Sequence, residues 1–284
     1  MNFSETVNDL KKRLAPIYGE GEAMAMVRLI FHHLKGWSAT DIIVNGDRQV
    51  SPYIHSLIER IMIRLTRGEP IQYVLGEARF YGMDFKVNRN VLIPRPETEE
   101  LVDMIVKENG RSDLRVLDIG TGSGAIAIAL SRNLRFPRVT AIDISPEALE
   151  VAGENARRLH ADIFLREKDI FTYMPPEDSY DIIVSNPPYI PEEEKEDMER
   201  NVLDYEPGLA LFVPDSEPLL YYSRISEVAI RALTPGGLLY LEINPRFAEA
   251  LRDMLLNDGF VNIEIFNDIS HRQRFIRAEK PKEE

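Results

Sequence analysis

The sequence predicts an α/β protein in which a small helical domain precedes a Rossmann-like domain with a seven-stranded mixed sheet. Strand-like and helix-like segments alternate from residue 114 onward, which is typical of a mainly parallel sheet with helices on both faces. A glycine-rich loop follows the first of these strands. The last two strand-like segments are only seven residues apart, too close for a helical crossover, so we expect a terminal antiparallel hairpin.

The composition is that of a soluble globular protein. The 284 residues, 44% apolar and 29% charged, suffice for one large or two modest domains. The absence of cysteine excludes disulfides and thiolate metal sites. The first residues do not resemble a signal peptide, and no apolar run approaches the roughly 20 residues of a membrane span. We therefore expect a cytoplasmic protein without membrane association. No metal is expected either, because the histidines form no ligand-like cluster: His32, His33, His55, His160 and His271.

The net charge of −13 is unevenly distributed. Residues 1–90 hold 12 Lys and Arg against 10 Asp and Glu, whereas the rest of the chain holds 22 against 37. A protein with so negative a charge binds nucleic acid poorly, because neutralisation of phosphates by basic residues supplies most of the non-specific affinity. We expect no stable nucleic-acid binding, although a local basic patch remains compatible with these numbers. The charged run 192–197 is predicted to be a solvated loop or helix face.

Domain boundaries are predicted near residues 70 and 94. Helices at 5–14, 20–35 and 53–66 form an N-terminal domain (1–70), and Ser38 and Ser51 mark helix starts. Aromatic and apolar residues among glycines predict a β-hairpin linker over 71–94. The third domain (95–284) opens with a helix from Pro96 or Glu97 to about Lys107. Its predicted strands are 115–119, 139–144, 163–168, 181–185, 237–243, 261–266 and 274–277, and its later helices are 125–132, 146–159, 219–233 and 246–257.

The glycine loop is predicted to bind a cofactor. It reads Gly120-Thr121-Gly122-Ser123-Gly124, and its glycines allow a tight turn and close approach to a ligand. The spacing differs from the G-x-G-x-x-G dinucleotide fingerprint, and the lysine of a phosphate-binding P-loop is missing. The loop is therefore predicted to cradle something other than a pyrophosphate. Asp118, just before it, either belongs to the cofactor site or caps the glycine turn.

Acidic residues end the next two strands. Asp143 is placed to accept hydrogen bonds from both hydroxyls of an adenosine ribose. Asp169 could accept from the adenine amino group, with Ile170 packed on the ring; the structural alternative is that Asp169 is a helix N-cap. Such a site serves NAD or S-adenosylmethionine. The loop spacing, the terminal hairpin and the tetrapeptide described next favour S-adenosylmethionine.

The run Asn186-Pro187-Pro188-Tyr189 follows an apolar strand, at the sheet edge where ligands bind in open α/β folds. A following proline pushes Asn186 toward extended backbone, and the prolines have a fixed φ and no N–H. A stiff group of acceptors beside an aromatic ring predicts a site that holds a planar –NH2 group. The plain structural alternative is a proline-rich turn after a core strand.

These residues resemble the class I S-adenosylmethionine-dependent methyltransferases that methylate amino groups of adenine, guanine or glutamine. Longer segments, over nearly the whole chain, are similar to the bacterial release factor glutamine methyltransferase family (PrmC/HemK type): Glu69-Pro-Ile-Gln-Tyr-Val-Leu-Gly76, Phe80-Tyr-Gly82, Val91-Leu-Ile-Pro-Arg-Pro-Glu-Thr-Glu99, Tyr205-Glu-Pro207 and Ala210-Leu-Phe212. Two segments depart from the family pattern. Val213-Pro-Asp-Ser-Glu-Pro-Leu219 replaces Gly-Gly-x-Asp-Gly-Leu, and Glu242-Ile-Asn-Pro245 replaces Glu-Ile-Gly with a nearby Gln.

The resemblance implies methyl transfer to the glutamine amide nitrogen in the Gly-Gly-Gln loop of class I peptide chain release factors, with S-adenosylhomocysteine as product. Asn186, beside the cofactor, and Pro187 would accept the amide N–H groups, Pro188 would complete the substrate site, and Tyr189 would pack on the amide. The N-terminal domain would grip the release factor. Two roles stay open for Arg95, Glu97 and Glu99: a salt-bridged hinge, or a lining of the substrate entrance.

Other functions are compatible with parts of the sequence. An adenine-N6 or guanine-N2 nucleic-acid methyltransferase would hold a flipped base with the same tetrapeptide, but the acidic catalytic domain disfavours it. The intact glycine loop, Asp143 and Asn186 disfavour a non-catalytic docking module. The loop spacing disfavours a nicotinamide oxidoreductase.

Overall fold

The computed structural model describes residues 1–282 and divides them into two compact units. The first comprises residues 1–77 and 199–205, and the second comprises residues 78–198 and the chain from 206 onward. A core of 14 buried apolar residues lies within the first unit. The second contains a sheet with an apolar core on each face.

The first unit is helical, as predicted. Its helices begin where short polar side chains satisfy free N–H groups: Ser38 accepts from Asp41 N, and Ser51 accepts from Ile54 N. Both predicted helix starts are therefore confirmed. The helices are α1 (Phe3–Tyr18), α2 (Glu20–Lys35), α3 (Ala39–Val44), α4 (Pro52–Leu65) and α5 (Ile71–Leu75).

The predicted hairpin is shorter than the interval 71–94. Its strands are β1 (Glu77–Phe80) and β2 (Met83–Lys86), whereas the start of the interval forms helix α5. Helix α5 ends at Gly76, which has the left-handed conformation typical of a helix C-terminus. Tyr81 and Gly82 form the two-residue turn of the hairpin, both with positive φ.

The remaining elements alternate as expected. The helices are α6 (Pro96–Glu108), α7 (Ala125–Asn133), α8 (Pro146–Arg158), α9 (Arg200–Tyr205, in the first unit), α10 (Leu220–Ala232) and α11 (Ala248–Asn257). The strands are β3 (Arg115–Ile119), β4 (Arg138–Asp143), β5 (Ile163–Glu167), β6 (Tyr180–Ser185), β7 (Ile190–Pro191), β8 (Phe212–Val213), β9 (Leu233–Glu242), β10 (Val261–Asn267) and β11 (Gln273–Glu279). The charged run Glu192–Asp197 is a 3₁₀ helix.

A seven-stranded mixed sheet is confirmed, with the strand order β10-β11-β9-β6-β3-β4-β5. Strands β9, β6, β3, β4 and β5 are parallel, and β11 is antiparallel to both β9 and β10. Alternate residues of the central strands face opposite cores: Val116 packs with α6, α7 and α8, whereas Leu117 packs with α10 and α11. Burial on both faces explains why these strands are almost continuously apolar.

Strand β9 begins at Leu233, four residues earlier than the predicted 237. The Thr-Pro-Gly-Gly sequence is typical of a turn, but here it lies inside the strand as an irregularity. The register with β6 shifts between the pairs Tyr180–Leu233 and Ile182–Leu238. A Cβ at Gly237 would lie 2.9 Å from the Thr234 carbonyl oxygen, so the bulge requires glycine there.

Candidate active site

A cavity of about 240 Å³ lies at the carboxyl ends of strands β3, β4 and β6. The chain proceeds from β3 to β4 and β5 on one side and returns to β6 on the other, which makes β3 the switch point of the sheet. The predicted site residues in the cavity wall are Gly120, Gly122, Asp143, Asp169, Ile170, Asn186, Pro187 and Pro188. The wall described here does not include Asp118, Thr121, Ser123, Gly124 or Tyr189.

The glycine loop is tied to the end of β4. The N–H groups of Gly120 and Thr121 both donate to the Ile142 carbonyl oxygen, at 2.9 and 3.0 Å. Gly120 and Gly122 have positive φ, and a Cβ at either would meet no protein atom within 4 Å. Gly124 differs, because its Cβ would come within 3.2 Å of the Ala152 Cβ, where α7 and α8 pack. The main chain at Gly120 and Gly122 therefore borders open space, whereas Gly124 is tightly packed.

Asp118 lies beneath the loop and is fully buried. Its Oδ2 accepts hydrogen bonds from the Thr121 hydroxyl (2.7 Å) and the Ala127 N–H (3.2 Å). Within residues 1–282 its Oδ1 has no hydrogen-bond partner. Burial raises the pKa of Asp118 to about 7, because desolvation disfavours the charged form more than these two donors favour it. This geometry makes Asp118 the cap of the glycine turn, one of the two roles its position in the sequence allowed.

Asn155, which the sequence analysis did not single out, also fixes the loop. Its side chain is fully buried and donates to the carbonyl oxygens of Ser123 and Lys86, both at 2.9 Å. Its Oδ1 accepts from the Lys86 N–H at 2.7 Å. A buried amide whose groups are all paired joins the loop rigidly to strand β2. The position of Asn155 on the apolar face of α8 is the sequence feature that could have indicated this role.

Asp143 is held by two main-chain donors. Oδ2 accepts from Gly122 N at 2.8 Å, and Oδ1 accepts from Ser145 N at 3.0 Å. The side chain is half-buried and lines the cavity. The carboxylate therefore has a fixed direction at the end of β4.

The segment after β5 forms an apolar end of the cavity. Asp169 Oδ1 accepts from Phe171 N at 2.9 Å, which closes a local turn, and Ile170 is buried. Phe171 packs against Tyr221 with ring centroids 5.3 Å apart, and both rings line the cavity. Arg224 donates from Nε to the Ile170 carbonyl oxygen at 2.9 Å. The sequence analysis did not identify this aromatic pair, because its members are 50 residues apart.

Asn186, Pro187 and Pro188 line the cavity directly after β6. The Asn186 Nδ2 lies 3.3 Å from Thr98 Oγ1, near the start of α6. Thr98 Oγ1 donates in turn to Glu242 Oε2 at 2.6 Å, and the Tyr189 hydroxyl donates to Glu242 Oε1 at 3.1 Å. Burial raises the pKa of Glu242 above its usual value, while these hydroxyl donors act in the opposite direction. Tyr189 is predicted from the sequence to pack on the substrate amide; in the structure its hydroxyl bonds this carboxylate.

Arg95 forms an ion pair inside the second unit. The Arg95 Nη2 lies 2.6 Å from Glu206 Oε1, and Glu206 Oε2 accepts from the Ile93 N–H at 3.2 Å. The Glu206 side chain is only 1% exposed, so the pair is largely shielded from water. Glu97 and Glu99 stand in the first turn of α6, where negative charge is favourable.

Two segments outside the predicted site also contribute to the cavity wall: Asn90, Val91 and Leu92 from one, and Pro207, Leu209 and Ala210 from the other. Both lie next to or within sequences that carried the family resemblance.

Asn244, where the sequence departs from the family pattern, forms two local hydrogen bonds. Its Oδ1 accepts from Arg246 N at 3.0 Å, and its Nδ2 donates to the Tyr189 carbonyl oxygen at 3.3 Å. Asn244 therefore supports the end of the tetrapeptide.

Similar proteins have the same architecture. A family model described as "Methyltransferase domain" matches residues 111–267. A methyltransferase of Pyrococcus furiosus, known from its crystal structure, is 18% identical and superposes with a TM-score of 0.52 over 77% of this chain and 97% of that one. These matches define a methyltransferase that has the Rossmann-like, seven-stranded fold of the class I enzymes.

Curated relatives narrow this class. Release factor glutamine methyltransferases of Bacteroides thetaiotaomicron and Flavobacterium psychrophilum are 46% and 43% identical, and the matches cover 95% and 93% of this chain and 98% and 94% of the relatives. The enzyme of that name from Streptococcus pneumoniae is 45% identical over 83% of this chain and 84% of its own length. A model described as "PrmC N-terminal domain" matches residues 5–76. The chain belongs to the family of release factor glutamine methyltransferases.

No group of three or more His, Cys, Asp or Glu side chains among residues 1–282 is arranged to hold a metal ion. None of the helices in the described part of the chain is long and apolar enough to cross a membrane.

Proposed function

We propose that this protein methylates the side-chain amide nitrogen of the glutamine in the Gly-Gly-Gln loop of class I peptide chain release factors. The observation that carries the proposal is the position of Asn186 in the cavity wall, next to two prolines without N–H groups. Curated relatives at 36–46% identity are named release factor glutamine methyltransferases, which supports a glutamine of a release factor as the acceptor.

The cavity has the features that S-adenosylmethionine requires. Gly120 and Gly122 leave room for close approach to the main chain, and Asp143 would accept hydrogen bonds from the ribose hydroxyls. Asp169 would accept from the adenine amino group, and Ile170 would pack on the ring. When bound, this cofactor supplies an electrophilic methyl group on a sulfonium.

The chemical task of Asn186 and Pro187 is to activate an amide nitrogen. Such a nitrogen is a poor nucleophile because its lone pair is delocalised into the carbonyl group. Asn186 Oδ1 and the Pro187 carbonyl oxygen would accept the two N–H hydrogens and favour a pyramidal nitrogen with a directed lone pair. These fixed acceptors would also stabilise the positive charge that develops on nitrogen. Proton loss follows bond formation, so a general base is not required before attack.

The helical unit supplies a second part of the proposal. A single glutamine side chain offers little contact area, and selective binding of a protein substrate needs further contacts. We propose that residues 1–70 bind the body of the release factor. A release factor should then have a much lower KM than a peptide of its Gly-Gly-Gln loop. Equal KM values for factor and peptide would contradict this part.

The substrate is tested by incubating the protein with methyl-labelled S-adenosylmethionine and one candidate acceptor at a time. The acceptors are a release factor, its loop Gln→Ala variant, duplex DNA and a structured RNA. We expect label only on the release factor with its glutamine intact. Label on nucleic acid would establish the alternative amino-methylating activity, and the absence of label on any acceptor would overturn the proposal.

A further inference from the structure

A chain of hydrogen bonds links Asn186 to a buried carboxylate behind the cavity. Thr98 Oγ1 lies 3.3 Å from Asn186 Nδ2 and 2.6 Å from Glu242 Oε2. Thr98 is 4% exposed and Glu242 is 2% exposed, so water does not compete for these contacts. Three elements meet here: the first turn of α6, the end of β9 and the segment after β6.

The direction of each hydrogen bond follows from the chemistry of these groups. A threonine hydroxyl has one hydrogen to donate and lone pairs to accept, whereas an ionised carboxylate only accepts. Glu242 accepts the Thr98 hydrogen at Oε2, just as it accepts the Tyr189 hydrogen at Oε1. Thr98 can then only accept from Asn186, so the NH2 end of the amide faces Thr98.

This polarity determines what Asn186 presents to a ligand. With Nδ2 turned toward Thr98, Oδ1 is the other end of the planar group. Within the described residues 1–282, no protein donor bonds to Oδ1. A reversed amide would instead present N–H groups, which would repel the N–H groups of an amide substrate. The usefulness of Asn186 as an acceptor thus depends on its neighbours.

We propose that Thr98 and Glu242 are positioning residues that orient the Asn186 amide, so that its oxygen accepts a hydrogen from the substrate nitrogen. This inference rests on the proposed function. Glu242 also accepts from the Tyr189 hydroxyl at 3.1 Å, so the same carboxylate is connected to both ends of the tetrapeptide. The role explains a threonine within the Pro94-Arg-Pro-Glu-Thr-Glu99 sequence, because Thr98 is the member of this sequence that bonds the Asn186 side chain.

Thr98→Val tests the inference, because valine keeps the shape of threonine but cannot take part in the chain of hydrogen bonds. We expect kcat with intact release factor to fall at least roughly tenfold, while the Kd for S-adenosylmethionine changes less than about twofold. Thr98→Ser should recover most of the lost kcat, because it restores the hydroxyl. The matched control is Thr234→Val: Thr234 is partly buried, and its hydroxyl bonds Asp181 Oδ1 at 3.3 Å, near the start of β9 and at the opposite end of this strand from Glu242.

Epistasis distinguishes positioning from a general packing defect. If Thr98 acts through Asn186, adding Thr98→Val to Asn186→Ala should lower kcat no further. Unchanged kcat in Thr98→Val, or equal losses in Thr98→Val and Thr98→Ser, would overturn the inference. A wild-type protein that does not methylate the release factor would instead overturn the proposed function.

A second readout needs neither cofactor nor turnover. In protein labelled with ¹⁵N-asparagine, the side-chain NH2 signals of Asn186 are assigned by their disappearance in Asn186→Ala. We expect these signals to shift and broaden in Thr98→Val, and to keep near wild-type positions in Thr98→Ser and Thr234→Val. Wild-type signals in Thr98→Val would show that Thr98 does not orient the amide, whatever the protein methylates.

Discussion

The main-chain N–H of Gly122 donates a 2.8 Å hydrogen bond to Asp143 Oδ2. This bond connects the loop after β3 to the end of β4, two adjacent strands of the sheet. Because Ser145 N holds the other carboxylate oxygen at 3.0 Å, the side chain is oriented before a ligand binds. Such preorganisation lowers the entropic cost of binding.

The first prediction concerns the affinity for S-adenosylmethionine. Asp143→Ala should weaken binding at least roughly tenfold, equivalent to about 1.4 kcal/mol, because it removes both the ribose acceptors and the support of Gly122. Asp143→Asn should lose less, since one acceptor oxygen remains. Isothermal titration calorimetry measures both. An unchanged Kd in Asp143→Ala would show that the ribose binds elsewhere.

The second prediction concerns turnover. Asn186→Ala should reduce kcat by about 100-fold or more, because it removes an acceptor aimed at the nitrogen where charge develops. The cofactor Kd should stay within about threefold of the wild-type value. Asn133→Ala is a suitable control, since among residues 1–282 the Asn133 side chain bonds only to Ala129 O, in its own helix. Near-normal kcat in Asn186→Ala would contradict the amide-clamp mechanism.

The third prediction concerns pH-dependent stability. Asp118 has a folded-state pKa of about 7, above the value of an unfolded aspartate. The group therefore favours the folded state most below about pH 4, and this contribution is lost as pH rises toward 7, by on the order of 4 kcal/mol. Asp118→Asn removes the ionisation, so its stability relative to wild type should increase between pH 5 and pH 8. Urea unfolding of the cofactor-free proteins measures this difference, and parallel pH profiles would contradict the assignment.

The fourth prediction concerns Arg95 and Glu206. Arg95→Ala leaves the nearly inaccessible Glu206 carboxylate with the Ile93 N–H but without its cation. We expect a loss of about 1–3 kcal/mol in unfolding free energy, less than for a fully buried pair, because the Arg95 side chain is 33% exposed. Arg252→Ala, which breaks an exposed pair with Glu249, should change stability by less than about 0.5 kcal/mol. Equal effects in thermal unfolding would show that the Glu206 pair is not structural.

Local patterns predicted much of the fold. Apolar periodicity located the strands of the sheet, and the short connection before β11 predicted the antiparallel hairpin. The predicted element bounds were wrong where one local sequence pattern is compatible with two structures. The Thr-Pro-Gly-Gly sequence is typical of a turn but forms a bulge in β9, and the apolar residues of α5 suited a strand as well as a short helix.

The sequence by itself determined the class of protein, because the glycine loop, Asp143 and the Asn186 tetrapeptide each follow a strand at a recognisable spacing. The tertiary structure decided which side chains complete the site. Thr98 and Glu242 are 144 residues apart, and Thr98 and Asn186 are 88 apart. Their contacts arise when the sheet brings the ends of β6 and β9 to one edge and the first turn of α6 lies beside them. Burial then limits each polar group to the partners that the fold places next to it, which no local pattern encodes.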